Sequence, residues 1–272
     1  MNRILCSTGT MIGRPNGRDI TLLQKHYREI SCDGFEFMMY DTWYDTIDHI
    51  RHVIETIDAP FPVFHVEKSI GSLVGRGGDD ELSLALFRFE INCALAHEMG
   101  AEILVFHLWN GPESDKNIER NITYYAQFRE IAEAKDLVLT VENVVCNQQD
   151  PLTHMRTLVA RYPDVSFTFD TKMAAFHSQM NELYKEEHRG IYDRIRHIHA
   201  NDYSGGYMDW SNLKTLHIGN GSIGFDRFFA FVKDNRYQGD FTIEATSFDQ
   251  DGVIHCDRLN RSIDTIRALI NR

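Results

Sequence analysis

Short apolar runs recur along the chain, each followed by a loop and then an amphipathic stretch. Eight of these runs read as strands: Arg3–Ser7, Gly34–Met39, Pro62–Val66, Glu102–His107, Leu137–Glu142, Val165–Asp170, Ile195–Ala200 and Asp240–Glu244. They are rich in Val, Ile, Leu and Phe, as strands buried on both faces are. Between them the spacing of apolar positions predicts helices. Asp79–Met99 is the clearest, with Asp79 as N-cap and Gly100 as stop. Ile118–Lys135, Pro151–Arg161 and Phe225–Asn235 follow the same logic, as does Asp257–Arg272. Two connections are longer than routine: the glycine-rich Ser69–Asp79 and the stretch Tyr203–Gly224. Both are expected to be loops, and loops of extra length often cover a site.

Each crossover between strands is too long for a hairpin, so the strands pair in parallel. A parallel α/β sheet either closes into a barrel or stays open and doubly wound. No Gly-x-Gly-x-x-Gly follows the first strand, so the open nucleotide-binding sheet lacks its fingerprint. Eight strands favour a (β/α)8 barrel. Such barrels commonly run to about 250 residues as one core, and no linker or low-complexity segment divides the 272 residues here. Residues 1–272 are therefore expected to form a single domain.

Composition narrows the partners. The 43% hydrophobic and 25% charged residues are ordinary for a soluble globular protein. A net charge of −12 argues against a broad electrostatic grip on nucleic acid or on an anionic membrane. No apolar stretch approaches the roughly 20 residues of a membrane span, and the first residues lack the apolar core of a signal peptide. Cys6, Cys32, Cys93, Cys146 and Cys256 are scattered without a Cys-x-x-Cys spacing. Reduced thiols in a cytoplasmic protein are the expectation.

The chemistry lies in what ends each strand. The apolar runs lead into His65, His107, Glu142, Asp170, His199 and Glu244, each about one βα unit after the last. In a closed barrel, strand ends from different units converge on one small region. Three imidazoles and three carboxylates would then ring one centre, and so many potential anions repel unless a cation lies among them. Mixed histidine and carboxylate donors suit Zn²⁺, Mn²⁺ or a similar divalent ion. Glu142, Asp170, His199 and Glu244 could hold one ion. His65 and His107, with Glu142 bridging, could hold a second. One or two metals per chain are thus expected. A single carboxylate after a strand is usually a helix cap, and a single histidine usually a hydrogen-bonding core residue; six in register are harder to explain so.

Other residues carry weaker signals. Glu36 could bond a substrate hydroxyl or serve the fold. Trp109 could wall a sugar ring or pack a loop, and His217 could face the site from the long connection. His197, one layer beneath His199, reads as a core residue or a support for it. Lys172 and Lys68 are the nearest cations for a substrate phosphate, though loop lysines are usually solvated. Gly219, Gly221 and Gly224 could offer amide donors to an anion.

The chain resembles the xylose isomerase-like TIM barrel family, which includes sugar phosphate isomerases and epimerases and nucleases of the endonuclease IV type. The likeness runs over nearly the whole sequence. It is carried by Val-Glu-Asn at 141–143, Phe-Asp-Thr at 169–171 and His-Ala-Asn-Asp at 199–202. Most specific are Ile-Gly-Asn-Gly-Ser-Ile-Gly-Phe at 218–225 and Tyr-Gln-Gly-Asp-Phe-Thr-Ile-Glu at 237–244. The resemblance implies that Glu142, Asp170, His199 and Glu244 are metal ligands, and that His65 and His107 occupy the second-metal positions of the endonuclease branch. There is one departure. Many members place a histidine three residues after the sixth-strand aspartate, where this chain has Met173, and the later loop has no Asp-x-His pair. A three-metal nuclease centre is therefore incomplete.

The expected function is a metal-dependent sugar, or sugar phosphate, isomerase or epimerase. Proton transfer would run through a metal-stabilised enediolate, with Glu142 and Glu244 as the acid/base pair. The partner would be a small sugar-like molecule and not nucleic acid or membrane; the resemblance also allows a homo-oligomer. The alternatives are a metal-dependent phosphoester hydrolase, a lyase with related enolate chemistry, and a non-catalytic barrel.

Overall fold

The computed structural model describes residues 2–111 and 113–271. Eight parallel strands close into a barrel in sequence order: β1 (Ile4–Ser7), β2 (Gly34–Met38), β3 (Val63–His65), β4 (Ile103–Phe106), β5 (Val138–Glu142), β6 (Ser166–Asp170), β7 (Ile195–His199) and β8 (Asp240–Ile243). β8 returns to pair with β1, Ile4 standing opposite Phe241. The (β/α)8 TIM barrel expected from the apolar runs is the observed fold. Each strand is a residue or two shorter than its run, so His107 and Glu244 stand one residue past β4 and β8.

Side chains alternate across a strand, and here the alternation sorts the two faces. Phe35, Phe37, Phe64, Leu104, Phe106, Leu139, Val141, Phe167, Phe169, Ile198, Phe241 and Ile243 belong to the large core shared with the helices. The other parity faces the barrel axis. Leu5, Val63 and Val105 form a small separate apolar cluster with Ile103 packed on it. Above it lies a polar layer: the Thr140 and Thr168 hydroxyls meet at 2.7 Å, and His197 bonds Glu36 and Thr242. One more step along the same parity reaches His65, His107, Glu142, Asp170, His199 and Glu244. The strand pattern that buries phenylalanine outward thus delivers all six polar residues to the inner face.

The helices Asp79–Glu98, Ile118–Glu133, Pro151–Arg161, Phe225–Asp234 and Cys256–Ile270 match the expected ones to within two residues; Arg272, at the end of the last, lies outside the described residues. The stretch expected to be a glycine-rich loop differs. Ser69–Arg76 is a helix, and only Gly77, at φ 94°, and the extended Gly78 turn it into the next one. Its glycines serve close packing rather than freedom. A methyl group on Gly71 would overlap the His107 carbonyl oxygen and the Leu108 backbone, so the helix rests directly on the chain leaving β4.

The second long connection, Tyr203–Gly224, has no regular structure beyond the turn Trp210–Asn212. The Asp202 carboxylate organises it. Oδ2 accepts from Gly219 N and Gly221 N at 2.9 Å, and Oδ1 from Tyr203 N at 2.9 Å and Ile223 N at 3.1 Å. The amides expected to offer themselves to an anion from outside are therefore bound, for Gly219 and Gly221, to the chain's own aspartate. All five cysteines are free thiols. No described helix is long and apolar enough to cross a membrane.

Candidate active site

Glu142, Asp170, His199 and Glu244 converge, with one ligand atom of each lying within 4.8 Å of the others. His65, His107 and Glu142 form a second such group. His199 Nδ1 lies 3.2 Å from Glu142 Oε1 and 3.2 Å from Glu244 Oε2. Glu142 Oε2 turns the other way, 2.7 Å from His107 Nε2 and 3.5 Å from His65 Nε2. Glu142 is thus shared by both groups. Glu244 is the more accessible of the two glutamates, with 9% of its side chain exposed against 1% for Glu142.

The surrounding backbone and amides fix these groups. Asp170 caps the helix Thr171–Phe176, its Oδ1 accepting from Lys172 N at 2.6 Å and Met173 N at 3.1 Å. Asn201 Nδ2 donates to Asp170 Oδ2 at 3.2 Å and to Glu244 Oε2 at 3.0 Å, while its Oδ1 accepts from Glu244 N. Asn143 ties β5 to β6 by bonding both backbone groups of Asp170. The loop after β5 is anchored by buried Asp115, which accepts from the backbone of Asn147, Gln148 and Gln149 and bonds His154. Asn143 and Asn201 were not singled out from the sequence. Their only signal was their place just after a ligand, in Val-Glu-Asn and His-Ala-Asn-Asp.

Electrostatics here is dominated by burial and by too few cations. Burial pushes the Asp170 carboxyl up to about 6; Lys172 opposes this, while like charge on Glu142 and Glu244 adds to it. For Glu142, burial is outweighed by the neighbouring His107 and His199, which hold the carboxyl well below its usual range. Glu244 is likewise held low, with His199 outweighing burial. His199 is driven well above its ordinary value, because Glu244, Glu36 and Glu142 together overcome its burial. Burial brings His107 down to about 4, against the pull of Glu142. Lys172 is buried, bonds Thr215 at 2.9 Å, and stands 3.7 Å from Asp170 Oδ2.

One feature of the donors tests whether a cation fits. His65 Nδ1 bonds the Val66 carbonyl at 2.9 Å, and His107 Nδ1 bonds Asn110 Oδ1 at 3.1 Å. Each ring therefore donates through Nδ1 and presents a lone pair at Nε2. Those two Nε2 atoms and Glu142 Oε2 are buried without a hydrogen-bond partner. Three lone-pair atoms facing one another is unfavourable on its own and suits a divalent ion among them. The residues present fit a metal.

The three weaker candidates stand elsewhere. Glu36 is fully buried inside the barrel, its Oε2 accepting from His197 Nε2 and His199 Nε2 at 3.0 Å each. Its Oε1 has no hydrogen-bond partner but is buried with the rest of the side chain, so it is not exposed to meet a substrate hydroxyl. Trp109 is also fully buried, its indole N–H donating to the Val144 carbonyl and its ring against His154, so it offers no face to a sugar. His217 spends its ring nitrogens on Ser262 and Ser247, at 2.9 and 3.1 Å.

Similar folds place this arrangement among known proteins. A D-tagatose 3-epimerase-like protein superposes with a TM-score of 0.72 at 19% identity, over 99% of this chain and 97% of its own. A 3-keto-D-glucoside 4-epimerase from E. coli matches at 0.70 and 16% identity, over 98% of this chain and 100% of its own. The IolI protein, solved with a binding zinc atom, matches at 0.68 and 12% identity, over 99% and 98% of the two chains. At these identities the likeness shows the fold. No curated protein matches the sequence. The sequence profile of the xylose isomerase-like TIM barrel family, however, matches residues 25–269, and the chain belongs to that family.

Proposed function

We propose that this protein is a divalent-metal-dependent isomerase or epimerase of a sugar or a related polyhydroxy carbonyl compound. The observation that carries the reading is the pair of glutamates, Glu142 and Glu244, each 3.2 Å from the Nδ1 of one histidine, at the ends of strands three apart around the barrel. A divalent ion held by Glu142, Asp170, His199 and Glu244 would polarise a substrate carbonyl and acidify the adjacent C–H. The rest falls to the chain. One glutamate removes the proton from the carbon beside the carbonyl, and the other returns one from its own side. Asn201 keeps Glu244 Oε2 occupied, which leaves Oε1 as the oxygen for proton transfer. Asp170, held by two backbone amides, stays a fixed anion. Lys172 balances the charge of the carboxylates. The sugar epimerases among proteins of similar fold support this reading.

The test is proton exchange. Metal-loaded protein in D₂O is incubated with ketoses such as D-tagatose and D-allulose, and NMR follows deuterium entering the carbon next to the carbonyl. Exchange that Glu244→Gln abolishes supports the proposal. No exchange with any polyhydroxy carbonyl compound overturns it.

A second reading rests on the other group. His65 Nε2, His107 Nε2 and Glu142 Oε2 would suit a second ion beside the first, and two ions sharing a carboxylate activate water for phosphoester hydrolysis. Turnover of bis(p-nitrophenyl) phosphate that is lost in His65→Ala, without ketose exchange, would replace the first reading with this one.

A further inference from the structure

The barrel interior beneath the site holds a polar unit that neither reading has used. Glu36 on β2 reaches across the axis to β7, where its Oε2 accepts from His199 Nε2 and from His197 Nε2, at 3.0 Å each. His197 also bonds Thr242 Oγ1 on β8 at 2.9 Å. All four residues are fully buried. Burying a carboxylate at a barrel axis is costly unless it is bonded, so an arrangement of this kind calls for a purpose.

Which nitrogen of a histidine is free for a ligand is set by the bond the other one makes. With Nε2–H of His199 committed to Glu36, Nδ1 is the nitrogen left to face Glu142 and Glu244. A carboxylate acceptor holds the ring in plane more firmly than a neutral one and makes the free nitrogen more basic. The second donor, His197, fixes Glu36 in turn, and Thr242 fixes His197.

Resting on the metal-centre reading above, we propose that Glu36 is a positioning residue. It orients the His199 ring so that Nδ1 completes the ligand set, and His197 anchors it from the layer below. Glu36 acts on the metal only through His199.

The experiment is a double-mutant cycle on zinc affinity, read by competition with a chromophoric chelator. Wild type, Glu36→Gln, Glu36→Leu, His199→Gln and the double variant Glu36→Gln/His199→Gln are compared. Glu36→Gln keeps an acceptor oxygen but not the charge, and is expected to weaken zinc binding about 10-fold; Glu36→Leu removes both, and about 100-fold is expected. In the His199→Gln background, Glu36→Gln should have no further effect. A merely structural role would weaken binding equally in both backgrounds. Thermal melts identify variants that fail to fold. If Glu36→Leu does, nitrogen-15 spectra of zinc-loaded Glu36→Gln provide the second readout: the hydrogen-bonded His199 Nε2–H signal should shift. Full zinc affinity with an unmoved signal in Glu36→Gln overturns the proposal. A wild type that binds no zinc fails the metal-centre reading, and this inference with it; a wild type that binds zinc as tightly as Glu36→Leu fails the inference alone.

Discussion

Asp170 should make the metal-free protein less stable above pH 6 than it would be without that charge. Its carboxyl rises from an ordinary 3.8 to about 6 because it is buried and shares its space with Glu142 and Glu244, which Lys172 only partly offsets. The folded chain therefore holds this proton where the unfolded chain has lost it. Stability from this group is present below pH 3.8, falls as pH rises, and is lost above about 6. At about 1.4 kcal/mol per pKa unit, the rise corresponds to about 3 kcal/mol, of which about 2 kcal/mol falls between pH 4.5 and 7.5. Asp170→Asn removes the titration. Its amide oxygen can still accept from Lys172 N and Met173 N, while its NH₂ meets Asn201 Nδ2 and Lys172 Nζ, at a pH-independent cost of about 1–3 kcal/mol. That cost cancels when two pH values are compared. Urea melts of chelator-treated wild type and Asp170→Asn at pH 4.5 and 7.5 are the assay. Relative to wild type, Asp170→Asn should gain about 2 kcal/mol on going to the higher pH. Saturating zinc should abolish the wild-type penalty, because a bound cation supplies the missing positive charge. A difference between the two proteins that is the same at both pH values would refute the reasoning.

Two further outcomes follow from packing. Gly71→Ala would press a methyl group into the His107 carbonyl, costing about 1–3 kcal/mol by overpacking and displacing His107. Urea melts and a zinc titration should both register it, though no ligand has been changed, and unaltered values for both would show that the helix Ser69–Arg76 can shift. Asp202→Ala leaves four backbone N–H groups without their acceptor. Gly219 and Gly221 are exposed and can turn to water, so about 2–5 kcal/mol is expected. Hydrogen exchange should quicken at residues 216–224, and protection there equal to wild type would contradict the assigned role of Asp202.

How much of this was legible in the sequence depends on what each residue answers to. The six polar strand ends could be read because side chains alternate with a fixed period of two along a strand: once Val63, Val105 and Thr140 face the axis, His65, His107 and Glu142 must as well. The helix Ser69–Arg76 was hidden because Gly71 and Gly75 are poor helix formers taken alone, and the approach of the chain after β4 that demands Gly71 is tertiary. Gly219 and Gly221 misled for a related reason, as the anion for their amides sits at position 202. Glu36 and His217 each carry a polar group, and Trp109 a flat ring, that sequence could assign to a substrate. Their partners, His197 and His199, Val144, and Ser262 and Ser247, lie between 30 and 163 residues away along the chain. Asn201 was passed over because nothing in its neighbours along the chain shows that β6 and β8 both bring a carboxylate to it.

The central claim is that these strand ends form a metal centre, and metal content tests it most directly. Protein dialysed against Zn²⁺ or Mn²⁺, then freed of excess ion, is analysed by elemental mass spectrometry alongside Glu142→Ala. The account predicts at least one ion per wild-type chain and its loss in Glu142→Ala, since Glu142 belongs to both groups. Wild-type protein without bound metal, or Glu142→Ala that retains the full wild-type content, would contradict it.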